Sequence, residues 1–131
     1  NQTEYFLYFA TNSLTGLSKM KYAMWSADPV GGQVFSDRTV TSQMVLIEPT
    51  VDLAPLRALL SQMFRESGRI GIQNVEEFVL VGTPYSETKH LRQRTLLPME
   101  KDTPPRIEVR RPLGARNRAG TYPPGTLIRF L

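Results

Sequence analysis

Apolar residues recur at helical spacing between positions 52 and 68 of the chain. The apolar face of this predicted helix carries Leu56, Leu59, Leu60, Met63 and Phe64. Asp52 is a good N-cap, and Gly68 stands where a residue of positive φ commonly follows the end of a helix. The pattern predicts an amphipathic helix that buries one face against the rest of the molecule.

Two shorter elements are predicted directly after this helix. The sequence RIGIQ at residues 69–73 alternates polar residues with isoleucine, which is typical of a short strand. Asn74, followed three residues later by Glu77, resembles a capping box. We therefore expect a second helix from Val75 to about Val81, which Gly82 ends.

A third helix is predicted after a tight turn. Thr83 and Pro84 are a typical start signal, with threonine as the cap and proline at the first helical position. The helix then continues through SETKHLRQRTLL until Pro98 kinks or ends it. Two helices joined in this way are typical of a helix-turn-helix unit.

The chain closes with two predicted strands, residues 106–111 and 126–131, joined by fourteen residues rich in arginine, glycine and proline. A tight hairpin needs only about two to five connecting residues. The whole order is helix, short strand, helix, turn, helix, strand, long loop, strand. It predicts an α+β fold of the winged helix-turn-helix type over residues 50–131, with three helices, a small antiparallel sheet and the long loop as its wing.

Residues 1–49 predict a strand-helix extension before this domain. Residues 4–10, EYFLYFA, are aromatic and compact, as buried strands are. A helix with Leu17, Met20 and Met24 on one face should follow up to Trp25. Residues 28–38 predict a loop, and the short apolar run at residues 44–47 ends at Pro49. The sequence leaves open whether this extension packs on the winged helix, and its start at Asn1 leads us to expect a piece of a longer protein.

The charge of the chain is concentrated in its second half. Residues 1–69 hold six Lys/Arg and six Asp/Glu, whereas residues 70–131 hold ten and six and so supply the whole net charge of +4. This asymmetry favours an anionic partner for the second half. There is no cysteine, which excludes disulfides and thiolate metal sites and agrees with the cytoplasmic location that we expect. No apolar run approaches the roughly 20 residues that span a bilayer, so we expect no membrane partner.

The basic residues fall on the two elements that a winged helix uses to contact DNA. At 100° per residue, Thr88, Leu91, Thr95 and Met99 should face inward on the third helix. Ser86, Lys89, His90 and Gln93 should face outward with Arg92 and Arg94 beside them, and Leu97 also falls on this outward side. In the wing, Arg110, Arg111, Arg116 and Arg118 lie within nine residues, with Asn117 between them and Tyr122 beyond. The first set predicts contacts in the major groove, and the second predicts contacts to the phosphate backbone or a minor groove.

Catalytic patterns are weak, and we expect no enzyme activity, metal or cofactor for this chain. His90 is the only histidine and has no cysteine or second histidine with which to share a metal. Asp28 and Asp37 fit surface turns better than catalysis. Gly31 and Gly32 lack the spacing, the lysine and the helix start of a phosphate-binding loop.

Several stretches resemble a known family. YFLYFATNSLTGLSKMKYAMWSADP, the later FSDRT, the third-helix region and GTYPPGTLIRF are similar to the C-terminal part of the three-Cys-motif partner proteins, in bacteria. In that family this part is described as a GMT-like winged helix-turn-helix. The resemblance implies a preceding methyltransferase-like portion, of which residues 4–25 would be the trailing strand and helix, and an association with mobile or defence-related loci.

Three hypotheses follow. The first is a DNA-binding winged helix that targets a larger methyltransferase-like protein to duplex DNA. The second is a winged helix that docks a partner protein, for which Leu97, Tyr85 and Tyr122 would be the exposed contacts. The third is a piece of an enzyme whose chemistry lies in other sequence. The sequence leaves the DNA preference, the oligomeric state and the pathway open.

Overall fold

The computed structural model describes residue 6, residues 8–33 and residues 50–131 of the 131-residue chain. The elements in chain order are α1 (Leu14–Ala27), α2 (Ala54–Phe64), β1 (Arg69–Gly71), α3 (Ile72–Gly82), a π-helix (Glu87–Leu96), α4 (Leu97–Lys101), β2 (Ile107–Arg110) and β3 (Leu127–Phe130). The α+β class is thus confirmed. The order of the elements from α2 onward is compatible with a winged helix.

The three strands form one antiparallel sheet in the order β1-β3-β2. The C-terminal strand lies in the centre, where Ile70 faces Ile128 on one side and Ile107 faces Phe130 on the other. The three strands predicted after residue 68 are confirmed, although each is shorter than its hydrophobic pattern suggested. The long connection between β2 and β3 is the wing, here defined as residues 111–126.

Helices α2, α3 and α4, the π-helix and one face of the sheet share a single hydrophobic core. Its fully buried members are Leu56, Leu60, Val75, Val79, Leu91, Leu96, Met99 and Ile128. Each buried side chain of this size contributes about 1.5–3 kcal/mol through removal of apolar area from water. The predicted inner face of α2 is confirmed for Leu56 and Leu60, while Met63 at the edge of that face is half exposed.

Two predicted helix starts are wrong. α3 begins at Ile72 rather than Val75, because Ile72 is a buried core residue whose N–H donates to the Thr126 carbonyl at 2.9 Å. Asn74 therefore lies inside the helix and does not cap it. Thr83 does not start the next helix either, since its hydroxyl donates to the Val79 carbonyl at the end of α3.

The next helix starts at Glu87, with Ser86 as its N-cap. Its geometry is that of a π-helix, in which the backbone bonds run from residue i+5 to residue i. The Leu97 N–H, for example, donates to the Arg92 carbonyl. Such a turn is wider than an α-helical turn, so the buried residues recur at a longer spacing. The chain then tightens into α4, which has Pro98 in its first turn, as predicted for a change of helix geometry at this proline.

Helix α1 packs against the turn that joins α3 to the π-helix. The Trp25 ring stacks on Tyr85 with centroids 5.9 Å apart and meets the edge of His90 at 4.4 Å, and its Nε1–H donates to the Pro84 carbonyl at 2.9 Å. Gly32 closes over the other side of the indole, where a Cβ would lie only 2.6 Å from Trp25 Cε2. The predicted helix is thus confirmed, and it belongs to the same packed unit as the helices that follow.

The N-terminal predictions are tested only in part. Phe6 and residues 8–10, which belong to the predicted strand at 4–10, are exposed and lie in no strand. The other residues of that predicted strand, the run at 44–47, Asp37 and Pro49 lie outside the described residues. In the part of the chain that the structure describes, no helix is long and apolar enough to cross a membrane.

Candidate nucleic-acid interface

The wing is built from three consecutive turns of the same kind. Their sequences are PLGA, RAGT and PPGT, and each closes with a hydrogen bond from the fourth residue to the carbonyl of the first, between 3.1 and 3.2 Å. The third residue is a glycine of φ 85°, 85° and 89° at positions 114, 120 and 125. This conformation is typical of type II turns and strongly favours glycine. The glycine and proline content of the loop therefore specifies a defined shape.

Glu100 on α4 anchors the wing to the helical part of the molecule. Its Oε1 accepts from Arg111 Nη2 at 2.7 Å, and its Oε2 accepts from the Gly120 N–H at 3.2 Å and from the Tyr122 hydroxyl at 3.0 Å. The side chains of Arg111 and Glu100 are only 5% and 15% exposed. One carboxylate thus binds three points of the wing in a largely buried position.

Arg111 carries this connection further into the wing. Its Nε donates to the Thr121 carbonyl at 2.8 Å, and its Nη1 donates to Asn117 Oδ1 at 3.1 Å. The guanidinium therefore joins α4 to two turns of the wing and is not presented to a partner. The prediction of an outward Arg111 is wrong because a buried charge needs an opposite charge and hydrogen-bond acceptors beside it.

Tyr122 was also predicted to face a partner, and it is buried instead. Its ring is a core residue and its hydroxyl donates to Glu100. Burial raises the pKa of Tyr122 above its ordinary value, and the hydrogen bond to Glu100 adds to this shift. The hydroxyl thus remains a donor that supports the wing.

The π-helix changes which of its side chains reach solvent. Ser86 and His90 were expected to face outward, but both are buried, while Thr88, expected inside, is exposed. The physical reason is the wide turn: buried residues come at 86, 90, 91, 95 and 96, at intervals of four or five rather than at 100° per residue. His90 Nδ1 accepts from the Ser86 N–H at 3.0 Å, so both side chains fold back onto the helix start.

The remaining predicted residues are presented on one of the two elements. On the π-helix, Arg92, Gln93 and Arg94 are exposed and Lys89 is half-buried. Arg116, Asn117 and Arg118 are exposed in the wing, and Arg110 is exposed at the end of β2 beside it. Arg92 also donates to Glu76 on α3 through Nε at 2.8 Å and Nη2 at 2.6 Å. Lys89 Nζ lies over the Tyr22 ring, 4.7 Å from its centroid.

An open groove of about 510 Å³ joins the two elements. Arg92 and Gln93 line it from the π-helix, and Arg116 and Thr121 line it from the wing. Gln93 Nε2 donates to the Gly120 carbonyl at 2.7 Å and so braces the floor of the groove. Leu97, which was expected outward, is half-buried beneath the wing, where it approaches Gly120. The structure therefore brings side chains of the predicted helix and the predicted wing to one open groove, with an arginine from each.

Lys21 is a structural residue that sequence reasoning missed. Its ammonium donates to four carbonyls at the end of α3 and in the following turn: Val79 at 3.1 Å, Leu80 at 2.5 Å, Thr83 at 2.5 Å and Tyr85 at 2.9 Å. Burial lowers the pKa of Lys21, and the charge of Glu87 opposes that shift. The Ser18 hydroxyl on the same helix donates to Glu87 at the start of the π-helix. α1 thus supplies a positive charge where the carbonyl dipoles of α3 end.

Glu100 was missed as well, although the sequence contains a signal for it. It is the only acidic residue between Glu87 and Asp102, in the most basic part of the chain. An isolated acid among arginines indicates a buried partner for one of them. Which arginine it would meet depends on the path of the wing, and local sequence does not contain that information.

We expect His90 to make the folded state sensitive to mild acid. Burial, followed by the charges of Arg94, Lys89 and Lys21, lowers the pKa of His90 from 6.5 to about 4. Between these values the unfolded chain holds the extra proton, so stability should fall as the pH drops from about 6.5 to 4, by about 3 kcal/mol in total. Urea unfolding at several pH values would measure this slope. In His90→Gln the slope over this window should be smaller, and an unchanged slope would show that another group causes it.

The described residues contain no group of three or more His, Asp or Glu side chains that could hold a metal ion. Comparisons of the chain with protein-family models, with curated proteins and with solved structures found no match, so its functional interpretation depends on its own residues and their geometry.

Proposed function

We propose that residues 50–131 form a winged helix-turn-helix that binds duplex DNA, with the π-helix at the major groove and the wing along the backbone. The observation that carries this proposal is the open groove between the π-helix and the wing, which Arg92 and Arg116 line from the two elements. The strand order β1-β3-β2 and the position of β1 between two helices agree with such a domain. The cytoplasmic location remains part of this proposal.

Exposed arginines without an acidic partner support an anionic partner. Arg69, Arg92, Arg106 and Arg111 each pair with an acidic side chain. Within the described residues, Arg94 on the π-helix, Arg110 at the end of β2, and Arg116 and Arg118 in the wing are exposed and make no ion pair. The same holds for Arg65 and Arg129 elsewhere on the surface, so the support comes from the position of the first four, on or beside the two elements that line the groove. Phosphate groups are the ligand that such exposed guanidinium groups bind through charge and paired hydrogen bonds.

The π-helix suits this role because it exposes consecutive residues. Arg92, Gln93 and Arg94 are all exposed, whereas three successive residues of an α-helix sweep about 200° and usually include one that points inward. Arginine and glutamine can form paired hydrogen bonds with guanine and adenine, respectively. We assign base contacts to this triplet and phosphate contacts to the wing.

The docking hypothesis receives less support from the fold. Of its three residues, Tyr122 is buried, and Leu97 and Tyr85 are half-buried, so none of them is the exposed contact that this hypothesis expects. For the whole protein, the resemblance to the three-Cys-motif partner proteins supports a larger methyltransferase-like protein that this domain would target to DNA. That wider role is a proposal that stands on the resemblance.

Binding of a random-sequence duplex across a salt series tests the proposal. Log affinity should fall with log salt at about 0.9 per phosphate contact. Arg110, Arg116 and Arg118 changed together to alanine should reduce that slope by up to about 3 and weaken binding at least tenfold at low salt. Arg111 is left in place because it holds the wing.

A variant with the same change in net charge is the matched control. The control residues are Arg57 on α2, Arg65 directly after α2 and Arg106 directly before β2. Their joint change to alanine should leave the slope nearly unchanged. Equal slopes for both variants would show that the salt dependence of binding reflects only the net charge of the protein. Absence of wild-type binding at 50 mM salt would overturn the proposal.

A further inference from the structure

The first turn of the wing, PLGA at residues 112–115, presents a leucine to solvent. Leu113 is completely exposed, more than any other large hydrophobic residue of the described chain. It occupies the second position of the first wing turn, which the Ala115 N–H closes on the Pro112 carbonyl at 3.2 Å. Gly114 follows with φ 85°, so the turn directs one apolar side chain outward and places no second side chain beside it.

The chain on either side of Leu113 is held by hydrogen bonds. Arg111, the residue before Pro112, binds Glu100, Asn117 and Thr121. The backbone of Leu113 is therefore held in its exposed position by the bonds of Arg111 and by the closure of its own turn. Pre-organisation of this kind lowers the entropy that binding would cost.

The sequence neighbours of Leu113 are cationic. Arg110, Arg116 and Arg118 are exposed in or beside the wing and make no ion pair within the described part of the chain. A narrow minor groove has an enhanced negative potential that attracts arginine side chains. An exposed leucine flanked by arginines therefore suits that groove.

We propose that Leu113 is an apolar wedge that enters the minor groove and partly unstacks one base step, which bends the duplex. This inference rests on the proposed DNA binding and adds its mode. Proteins that bind the minor groove use leucine among other residues for such wedges, and the bend is directed toward the major groove. Burial of the leucine against the bases offsets part of the cost of unstacking, and the arginines bind the phosphates on either side.

The wedge also implies a sequence preference without base-specific hydrogen bonds. Pyrimidine-purine steps such as TA unstack easily, whereas A-tracts are stiff. Wild-type protein should therefore bind a duplex with a central TA step several-fold more tightly than one with a central A-tract. Leu113→Ala should reduce this ratio to nearly one.

The experiment measures binding and bending separately. Fluorescence anisotropy gives the affinity for a 30-base-pair duplex, and energy transfer between dyes at its two ends, at saturating protein, gives the bend. Wild type should raise the energy transfer on the TA duplex. Leu113→Ala should lose this rise while its affinity falls less than tenfold. Met63→Ala, which removes a half-exposed apolar side chain on α2, should behave as the wild type.

The outcomes distinguish this inference from the proposed function. Binding without a bend, or an equal bend with Leu113→Ala, would overturn the wedge and leave DNA binding intact. No binding would overturn both. Vesicles with anionic lipid test whether Leu113 and the neighbouring arginines bind a membrane surface instead. Sedimentation of the wild type but not of Leu113→Ala with these vesicles would assign the first wing turn to a membrane surface and overturn the wedge.

Discussion

Glu100→Ala is expected to lower the free energy of unfolding by about 3–5 kcal/mol, because it leaves the Arg111 charge buried without its partner. It also removes the acceptor of the Tyr122 hydroxyl and of the Gly120 N–H. Urea unfolding with linear extrapolation would measure the change. Glu100→Gln keeps the shape and part of the hydrogen bonding, so its effect should be intermediate.

Glu108→Ala is the matched control for this experiment. Glu108 pairs with Arg69 at 2.6 Å, but these side chains are 45% and 43% exposed. Solvent screens such a pair, so its loss should cost far less stability than the loss of Glu100. Similar losses in Glu100→Ala and Glu108→Ala would contradict the anchoring role of Glu100. If that role holds, Glu100→Gln should also weaken DNA bending, since the first turn of the wing would lose part of its support.

Trp25→Ala is expected to cost about 3–5 kcal/mol, as is typical for truncation of a large buried aromatic residue. The change removes the stacking on Tyr85, the edge contact with His90 and the hydrogen bond to the Pro84 carbonyl. Thermal and urea unfolding followed by helical circular dichroism would measure the loss. A single transition in the wild type would show that α1 and the later helices unfold together.

Tyr22→Ala on the same helix provides the comparison. Tyr22 is half exposed, and its ring contacts the Lys89 ammonium. An exposed cation–π contact contributes about 0.5–1 kcal/mol, so its loss should be small. A loss of unfolding free energy below 1 kcal/mol in Trp25→Ala would contradict the view that α1 folds as one unit with the later helices.

The expected effects of the Trp25 and Tyr22 variants concern the division that the sequence predicts between an extension, residues 1–49, and a domain, residues 50–131. The boundary was drawn where a loop and a proline interrupt the pattern, yet α1 lies before it and contacts the turn between α3 and the π-helix. Lys21 and Trp25 bind five carbonyls of that turn and of the end of α3. The start of the π-helix therefore depends on residues about 60 positions earlier in the chain. A change in the N-terminal region would be transmitted directly to the proposed recognition helix.

Much of the fold could be predicted because the signals are local. The apolar face of α2, the strand in RIGIQ and the two final strands each depend on neighbouring residues. All were found, although β1 covers only Arg69–Gly71 and Ile72 already begins α3. The predicted helix starts were less accurate, although Asn74 and Thr83 fit the local rules for cap residues. Asn74 lies inside α3 because the helix already begins at the buried Ile72, and the Thr83 hydroxyl donates to the Val79 carbonyl at the end of α3.

The sequence by itself determined the order of the helices and strands after residue 50, the concentration of positive charge in the second half and the turn-forming pattern of the wing. These features could be predicted because hydrophobic periodicity and turn preferences act over a few neighbouring residues. Only the tertiary structure decided which polar side chains are presented. The i+5 bonding of the π-helix turned Ser86 and His90 inward, and the folding of the wing over α4 brought Arg111 and Tyr122 to Glu100. Burial of a charge or a ring is decided by contacts between distant segments, and those contacts have no local pattern from which to predict them.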